Sequence, residues 1–284
     1  MRVTGALGGA LLGGALVLAL AGCSGVPDPA SAPASPSAHA TPRLPDPSAG
    51  FDYQLGGAYP PPTGVQTVAR DRTAEPAGAG YDICYVNGFQ TQPDASERFA
   101  QQHPDLLLQT GDGPLVDPGW PDEYLYDTST EARRDALAAL VGPWIEGCAR
   151  AGFDAVEIDN FDSYTRSKGA LTADDNVALA AAYAAIAHRH GLAIAQKNTA
   201  DQSERLRGLG YDFAVAESCV VYDECAAYTS VYPVLLDVEY TDELGEGGFS
   251  AACAERDERT AMILRDHDLR TPGDTGYAYR ACAG

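Results

Sequence analysis

Asp159 and Glu217 are the side chains of this chain best placed for acid–base or nucleophilic work, because each ends a short apolar run. Ala155-Val-Glu-Ile-Asp-Asn160 is a β-branched stretch that stops at Asp159 and Asn160, and Phe213-Ala-Val-Ala216 stops at Glu217. The same grammar recurs where Ala193-Ile-Ala-Gln196 meets Lys197 and Asn198, and where Pro233-Val-Leu-Leu-Asp-Val238 meets Glu239 and Tyr240. Such runs read as buried parallel strands, and in a barrel of parallel strands the C-terminal edge is the catalytic face. Alone, Asp159 would read better as the cap of a following helix. The recurrence favours chemistry: four successive strand ends aim acids, amides and one lysine at a common centre.

The elements that must position these residues alternate between strand and helix signals, the pattern of a parallel α/β fold. Strands are expected near Val65–Ala69, Tyr81–Val86, Leu106–Gln109, Ala155–Ile158, Ala193–Gln196, Asp212–Ala216 and Pro233–Val238, with an eighth near Leu269–Thr271. Helices are expected over Thr130 to Arg150, where Leu137, Leu140, Val141, Trp144 and Ile145 recur at helical spacing, and over Ala173 to His190. The second carries Thr172, Asp174 and Asp175 as N-terminal signals and Gly191 as a C-terminal stop. A third helix is expected over Ala252 to Arg265. The Pro- and Gly-rich segments 58–64 and 112–121 read as loops.

Residues 1–23 read as a secretory signal, with Arg2 as the positive start and an apolar core from Leu11 to Leu20. Leu20-Ala21-Gly22-Cys23 resembles the bacterial lipobox, which would make Cys23 the lipid-bearing N-terminus of an extracellular protein held on the cell membrane. An ordinary signal peptide with an incidental cysteine is the alternative. Residues 24–50 are rich in Pro, Ser and Ala and cannot bury a core, so they read as a tether, leaving 51–284 as one barrel-size domain. The formal net charge is −21, which disfavours nucleic acid and anionic lipid as partners and suits a cationic substrate, although solubility explains it as well. Apart from Cys23, six cysteines remain, and an even number in an exported chain argues for disulfides. Cys219 and Cys225, close in sequence, are expected to pair; the partners of Cys84, Cys148, Cys253 and Cys282 stay open. No CxxC pair or ligand-like histidine spacing supports a metal, and no cofactor is expected. His188 and His190 read as surface residues at a helix end.

Several blocks, taken in order, resemble the endo-α-1,4-polygalactosaminidase family of glycoside hydrolases. They are Tyr53-Gln54-Leu55, Cys84-Tyr85, GFDAVEIDN at 152–160, AHRHGLAIAQKN at 187–198, YDFAVAESC at 211–219, Cys225, and Glu239-Tyr240. The resemblance implies a (β/α)8 TIM-barrel domain that cleaves an α-1,4-linked, partly deacetylated galactosamine polymer. It also implies that Asp159 and Glu217 match the family's catalytic aspartate and glutamate. Family members typically carry Gly-x-x-Glu-x-x-Arg-x-Asp after the second strand, where this chain reads Asn87-Gly-Phe-Gln-Thr-Gln-Pro-Asp94. That departure bears on substrate identity more than on fold or reaction class.

Glycoside hydrolysis needs one carboxyl to protonate the leaving oxygen and one to stabilise or attack the oxocarbenium-like centre. Asp159 suits the second role. Glu217 suits the first, since burial after an apolar strand would raise its pKa. Glu239 is the reserve acid, with an ion pair to Lys197 or an arginine as the favoured alternative. Lys197 and Asn198 would bind sugar hydroxyls and keep Asp159 ionised, with Asn160 beside them. Glu157 would line the floor or pair with an arginine. Tyr53, Tyr85, Trp120 and Tyr240 are candidate sugar platforms, each with core packing as its alternative. Asp127 and Asp162 could meet a substrate amine or cap helices. Two other classes compete: a Schiff-base lyase with Lys197 as nucleophile, and a non-catalytic, lipid-anchored carbohydrate-binding protein. The enzyme is expected to act as a monomer.

Overall fold

The computed structural model describes residues 41–282, so the signal segment, Cys23 and most of the expected tether lie outside the described residues. In chain order the elements open with strands β1 (Phe51–Tyr53), β2 (Thr67–Asp71) and β3 (Tyr81–Asn87). A long excursion follows, containing helix α1 (Ser96–Gln102), a 3-10 turn (Pro104–Leu106) and a small hairpin of β4 (Gln109–Thr110) and β5 (Gly113–Pro114). Then come α2 (Glu131–Ala151), β6 (Ala155–Asp159), α3 (Ser163–Arg166), α4 (Ala173–Arg189), β7 (Ala193–Lys197), α5 (Ser203–Gly208) and β8 (Phe213–Glu217). The chain finishes with α6 (Cys225–Thr229), β9 (Leu235–Tyr240), α7 (Gly245–Glu255), β10 (Thr260–Arg265) and β11 (Tyr279–Ala281).

One sheet runs β1-β2-β3-β6-β7-β8-β9-β10-β11, parallel throughout except for the antiparallel β10/β11 pair. Eight parallel strands in sequential order, with helices between them, make a (β/α)8-type barrel. Its seam lies between β10 and β1, where side chains bridge instead of a ladder: Arg265 donates to the Tyr53 carbonyl and Tyr279 donates to the Phe51 carbonyl.

Alternation along each strand divides the interior into two cores. Ile83, Ala155, Ala195, Val215, Val238 and Ile263 fill the barrel, whereas Val86, Val156, Ile158, Ile194, Ala214 and Leu235 pack outward. The outer layer receives Leu137, Val141 and Ile145 of α2 and Leu179, Ala180 and Tyr183 of α4. Both helices start at threonine caps, Thr130 and Thr172, the latter in a reciprocal capping box with Asp175.

Two expected strands and one expected helix are corrected. Leu106–Gln109 is not a barrel strand: Leu106 ends the 3-10 turn, and Leu108 packs with Leu115, Leu125 and Leu171 in a satellite core. The apolar run serves a loop rather than the sheet. Ala252 to Arg265 is not one helix, because α7 stops at Glu255 and Thr260–Arg265 becomes β10, buried on both faces. An apolar run of that length has no decisive period, and the preceding turn around Asp257 resets the chain. Leu269–Thr271 accordingly lies outside the sheet, just after the turn at 267–268 and with Leu269 at φ 51, and the first strand is Phe51–Tyr53. The end of the expected tether is also part of the body: Arg43 pairs with Asp154 at 2.6 Å, and Leu44 packs against the barrel core.

Cys219 pairs with Cys225 as expected; Cys84 pairs with Cys148, and Cys253 with Cys282. The second bond ties β3 to α2, and the third ties α7 to the chain after β11.

Candidate active site

Asp159, Lys197 and Glu217 are each the last residue of their strand and share one parity, so β6, β7 and β8 deliver all three into the barrel mouth. The residues that follow, Asn160, Asn198 and Ser218, are all left-handed, at φ 62, 50 and 58. Such backbone is costly outside glycine, with asparagine among the residues that tolerate it best. It turns the chain sharply away from the barrel directly behind each functional side chain, which is where strain is commonly stored.

Lys197 is the electrostatic hub. Its Nζ lies 3.0 Å from Glu217 Oε2, 3.5 Å from Asp159 Oδ2 and 3.6 Å from Glu157 Oε1, and the residue is 3 % exposed. Burial alone would discharge the ammonium, but the three carboxylates hold its pKa well above the ordinary lysine value. A Schiff-base nucleophile must be a free amine, so this environment argues against the lyase reading.

Asp159 accepts from the Tyr85 hydroxyl at 2.8 Å and from the Asn160 amide at 2.7 Å. Glu217 accepts from Tyr240 Oη and, at 3.0 Å, from Asn198 Nδ2, while its own amide donates to Asn198 Oδ1. Burial would raise the Glu217 pKa, as expected from sequence. Lys197 and the bonds from Tyr240 and Asn198 overcome that and bring it down to about 2. The expectation of a raised Glu217 is thus corrected: in the resting site it is an anion. The raised carboxyl is Glu157, fully enclosed below the others, where burial outweighs Lys197 and lifts it to about 7.

These groups open into a cavity of about 970 Å³ lined also by Tyr85, Trp120, Asn160, Asn198 and Tyr240. Beyond Asp159 and Glu217, its wall carries Glu123, Asp162, Asp201, Glu224, Glu243 and Asp268 against the ammonium of Lys197 and the imidazole of His267. Tyr240 stacks on His267 with ring centroids 4.2 Å apart, and Trp120 is 58 % exposed, so the walls offer aromatic faces.

Four of the residues considered for the site do not line this cavity: Tyr53, Glu239, Asp127 and Glu157, the last enclosed beneath it and paired with Lys197 rather than an arginine. Tyr53 is buried beneath the floor, its hydroxyl donating to Glu157 Oε1 at 2.6 Å. Glu239 alternates with Tyr240 and therefore points outward, where its Oε1 accepts from the Val220 amide at 2.8 Å. Neither its reserve role as an acid nor the expected pairing with Lys197 is realised; its neighbour is Asp237, and burial raises the pKa of both. Asp127 is also elsewhere, paired with Arg133 at 3.0 Å, whereas Asp162 lines the cavity and pairs with Arg166 at 2.6 Å.

Sequence reading missed Glu123, Asn87, Arg166, Asp117 and His267. They lie in loops, at a strand end or, for Arg166, at the end of the four-residue α3, all without periodicity, and only the long excursion after β3 could have drawn notice, since long loops in compact domains are commonly functional. Among the described residues, Cys219, Cys225 and Asp237 are the cluster with metal-ligand types; both sulfurs are bound in a disulfide, so no thiolate is on offer.

A parallel barrel with paired carboxylates and a lysine at its C-terminal mouth defines a class of (β/α)8 enzymes that includes many glycosidases. The family model for glycoside-hydrolase family GH114 matches residues 31–284, and the chain belongs to that family of glycoside hydrolases. Among solved structures it is similar to Aspergillus fumigatus Ega3, determined in complex with galactosamine, with a TM-score of 0.67 and 20 % identity over 86 % of this chain and 100 % of that one. It is also similar to the glycoside hydrolase domain of PelA from Pseudomonas aeruginosa, with a TM-score of 0.54 and 13 % identity over 80 % of this chain and 98 % of that one. At those identities the likeness shows the fold. No curated protein matches the chain.

Proposed function

We propose that this chain is an exported glycoside hydrolase that cleaves an α-1,4-linked, partly deacetylated galactosamine polysaccharide, with Asp159 and Glu217 as its two catalytic carboxylates. The observation that carries the reading is the meeting of these two groups across Lys197, inside a cavity whose wall is otherwise dominated by acids. Unacetylated amino sugars are cations at neutral pH, and an acidic wall favours their entry. The galactosamine bound to Ega3 and the GH114 membership support the same substrate class.

Both carboxylates touch Lys197 Nζ, at 3.5 and 3.0 Å, so their nearest oxygens are separated by no more than those two contacts laid end to end. That bound admits the roughly 5–5.5 Å separation of retaining enzymes, and we infer a retaining course. One of the two then attacks the anomeric carbon as a carboxylate while the other, having taken up a proton from solvent in the substrate complex, gives that proton to the departing oxygen. In the second step the latter takes a proton from water as the glycosyl–enzyme bond breaks. The pair carries the proposal; a substrate with a good leaving group restores turnover only to the variant lacking the proton donor, and so orders the two roles. Lys197 and Asn198 hold the anions in place, Tyr85 and Tyr240 orient them, and Trp120 offers a sugar platform.

Release of reducing ends from partly deacetylated α-1,4-galactosamine polymer, with none from chitosan or an α-galactan, tests the substrate assignment. Binding of the polymer with no new reducing ends would favour the sugar-binding alternative.

A further inference from the structure

On the outer side of the barrel wall two buried acids meet. Asp237 and Glu239 stand two residues apart on β9 and so share its outward face, and both are fully buried. Across the sheet their neighbours are Ala216 of β8 on one side and Met262 and Leu264 of β10 on the other, the last two clustered with Phe249 of α7. The titratable groups turned toward the pair are Glu217 at the end of β8, Glu243 in the turn after β9 and the Tyr228 hydroxyl of α6; none brings positive charge. Lys197 stands on the other face of the sheet, inside the barrel mouth.

What the pair grips is the loop behind Glu217. Three consecutive amides of that loop donate to β9: Ser218 to the Val238 carbonyl at 2.9 Å, Cys219 to Asp237 Oδ1 at 3.3 Å and Val220 to Glu239 Oε1 at 2.8 Å. The same loop gives Ser218, Tyr222 and Glu224 to the cavity wall, and the Cys219–Cys225 bond closes it. Two carboxylates here would leave Asp237 Oδ2 and Glu239 Oε2 buried with no donor among the described residues. A single proton removes the deficit: Asp237, protonated, donates to Glu239, which stays an anion. Burial, and then the charge of Glu239, raise the Asp237 carboxyl well above the usual carboxylate range, in keeping with that placement.

We propose that Asp237 and Glu239 hold one proton in common and act as positioning residues, a latch that fixes the loop 218–224 and with it Glu217. This role rests on the reading of Glu217 as a catalytic carboxylate and adds what sets its place. Loss of the shared proton to a base in solvent leaves two anions on adjacent outward positions of one strand. Their repulsion, strong where water is excluded, is relieved when the loop swings away and admits water. The latch is therefore closed at low pH and opens as the pH rises, the direction that a raised carboxyl demands. Tyr240, on the inner face of the same strand, donates to the Glu217 carboxylate, so β9 holds the residue from one face and its loop from the other.

Amide hydrogen exchange across the loop, corrected for the intrinsic pH dependence of exchange, tests the latch without any substrate. In the wild type the protection of the Cys219 and Val220 amides should fall at least about tenfold from about pH 5 to about pH 9, while that of α4 falls far less. Asp237→Asn keeps an acceptor for the Cys219 amide and a donor for Glu239 but has no proton to lose, so its loop should hold its protection within about twofold. Turnover of partly deacetylated α-1,4-galactosamine polymer should follow the same pattern, the alkaline fall of kcat moving to higher pH in Asp237→Asn. Constant loop protection in the wild type, or an equal loss in Asp237→Asn or in α4, overturns the latch. A protected loop in Asp237→Asn with an unmoved kcat profile overturns its hold on Glu217. If Asp237→Asn does not fold, Glu239→Gln, which removes one charge from the same pair, takes its place in both measurements. A wild type that cleaves no galactosamine polymer removes the reading of Glu217, and the exchange measurement still decides the latch.

Discussion

Two carboxylates beside Lys197, Glu217 and Glu157, titrate in opposite senses, and burial and distance decide which way. Glu217, nearest to Nζ and bonded by Tyr240 and Asn198, is held down at about 2; Glu157, enclosed with the Tyr53 hydroxyl and the more distant Lys197 on Oε1 and, among the described residues, no hydrogen bond on Oε2, is lifted to about 7. For Glu217 the stabilising contribution is present above the unfolded carboxyl pKa, about 4.3, and lost only as the pH falls toward 2. For Glu157 the contribution is full below about pH 4.3 and lost as the pH rises through about 7. Glu157→Gln is neutral at every pH. Its melting temperature should therefore decline less than that of the wild type between pH 4.5 and 7.5, with the other raised groups, Glu123, Asp237, Glu239 and His188, contributing to the remaining slope. Parallel melting curves for the two proteins across that range would contradict the burial argument. At this scale the strand-end grammar made Asp159, Lys197 and Glu217 legible in the sequence. The direction of the Glu217 shift was not, because it depends on how close Lys197 comes.

At the scale of elements, parity does most of the selecting. Adjacent residues of one strand face opposite sides, so Tyr240 lines the cavity and Glu239 cannot; the sequence names both without saying which faces in. The strands at β6, β7, β8 and β9 were legible because each is a short apolar run closed by polar residues. β1 was not, being a three-residue strand with Asp52 at its centre, and β10 was not, because its continuous apolar run fits a helix equally well. Disulfides reinforce this frame unequally. The Cys84–Cys148 bond spans 64 residues and Cys219–Cys225 spans 6, so loop-closure entropy assigns them about 4 and about 2 kcal/mol. Chemical denaturation of the paired Cys→Ser variants should give the larger loss of stability for Cys84/Cys148. An equal or reversed order would show that local packing around Cys219, rather than chain entropy, sets the cost.

For the whole molecule, a net charge of −21 and an acid-walled cavity suit a cationic polymer met outside the cell. The lipobox-like sequence at Cys23 fits that setting, and we propose that it anchors the enzyme. Wild-type protein expressed with its leader should partition into the detergent phase, and Cys23→Ala should move it to the aqueous phase; aqueous partitioning of the wild type contradicts the anchor. The central claim is that Asp159 and Glu217 together hydrolyse a galactosamine polymer. The most direct measurement is reducing-end release from partly deacetylated α-1,4-galactosamine polymer by the wild type, Asp159→Asn and Glu217→Gln, each shown to be folded by circular dichroism. Steady release by the wild type is predicted, with a fall of at least about a hundredfold in both variants, the lower end of what a general acid or base contributes. Near-normal release by either folded variant would contradict the account.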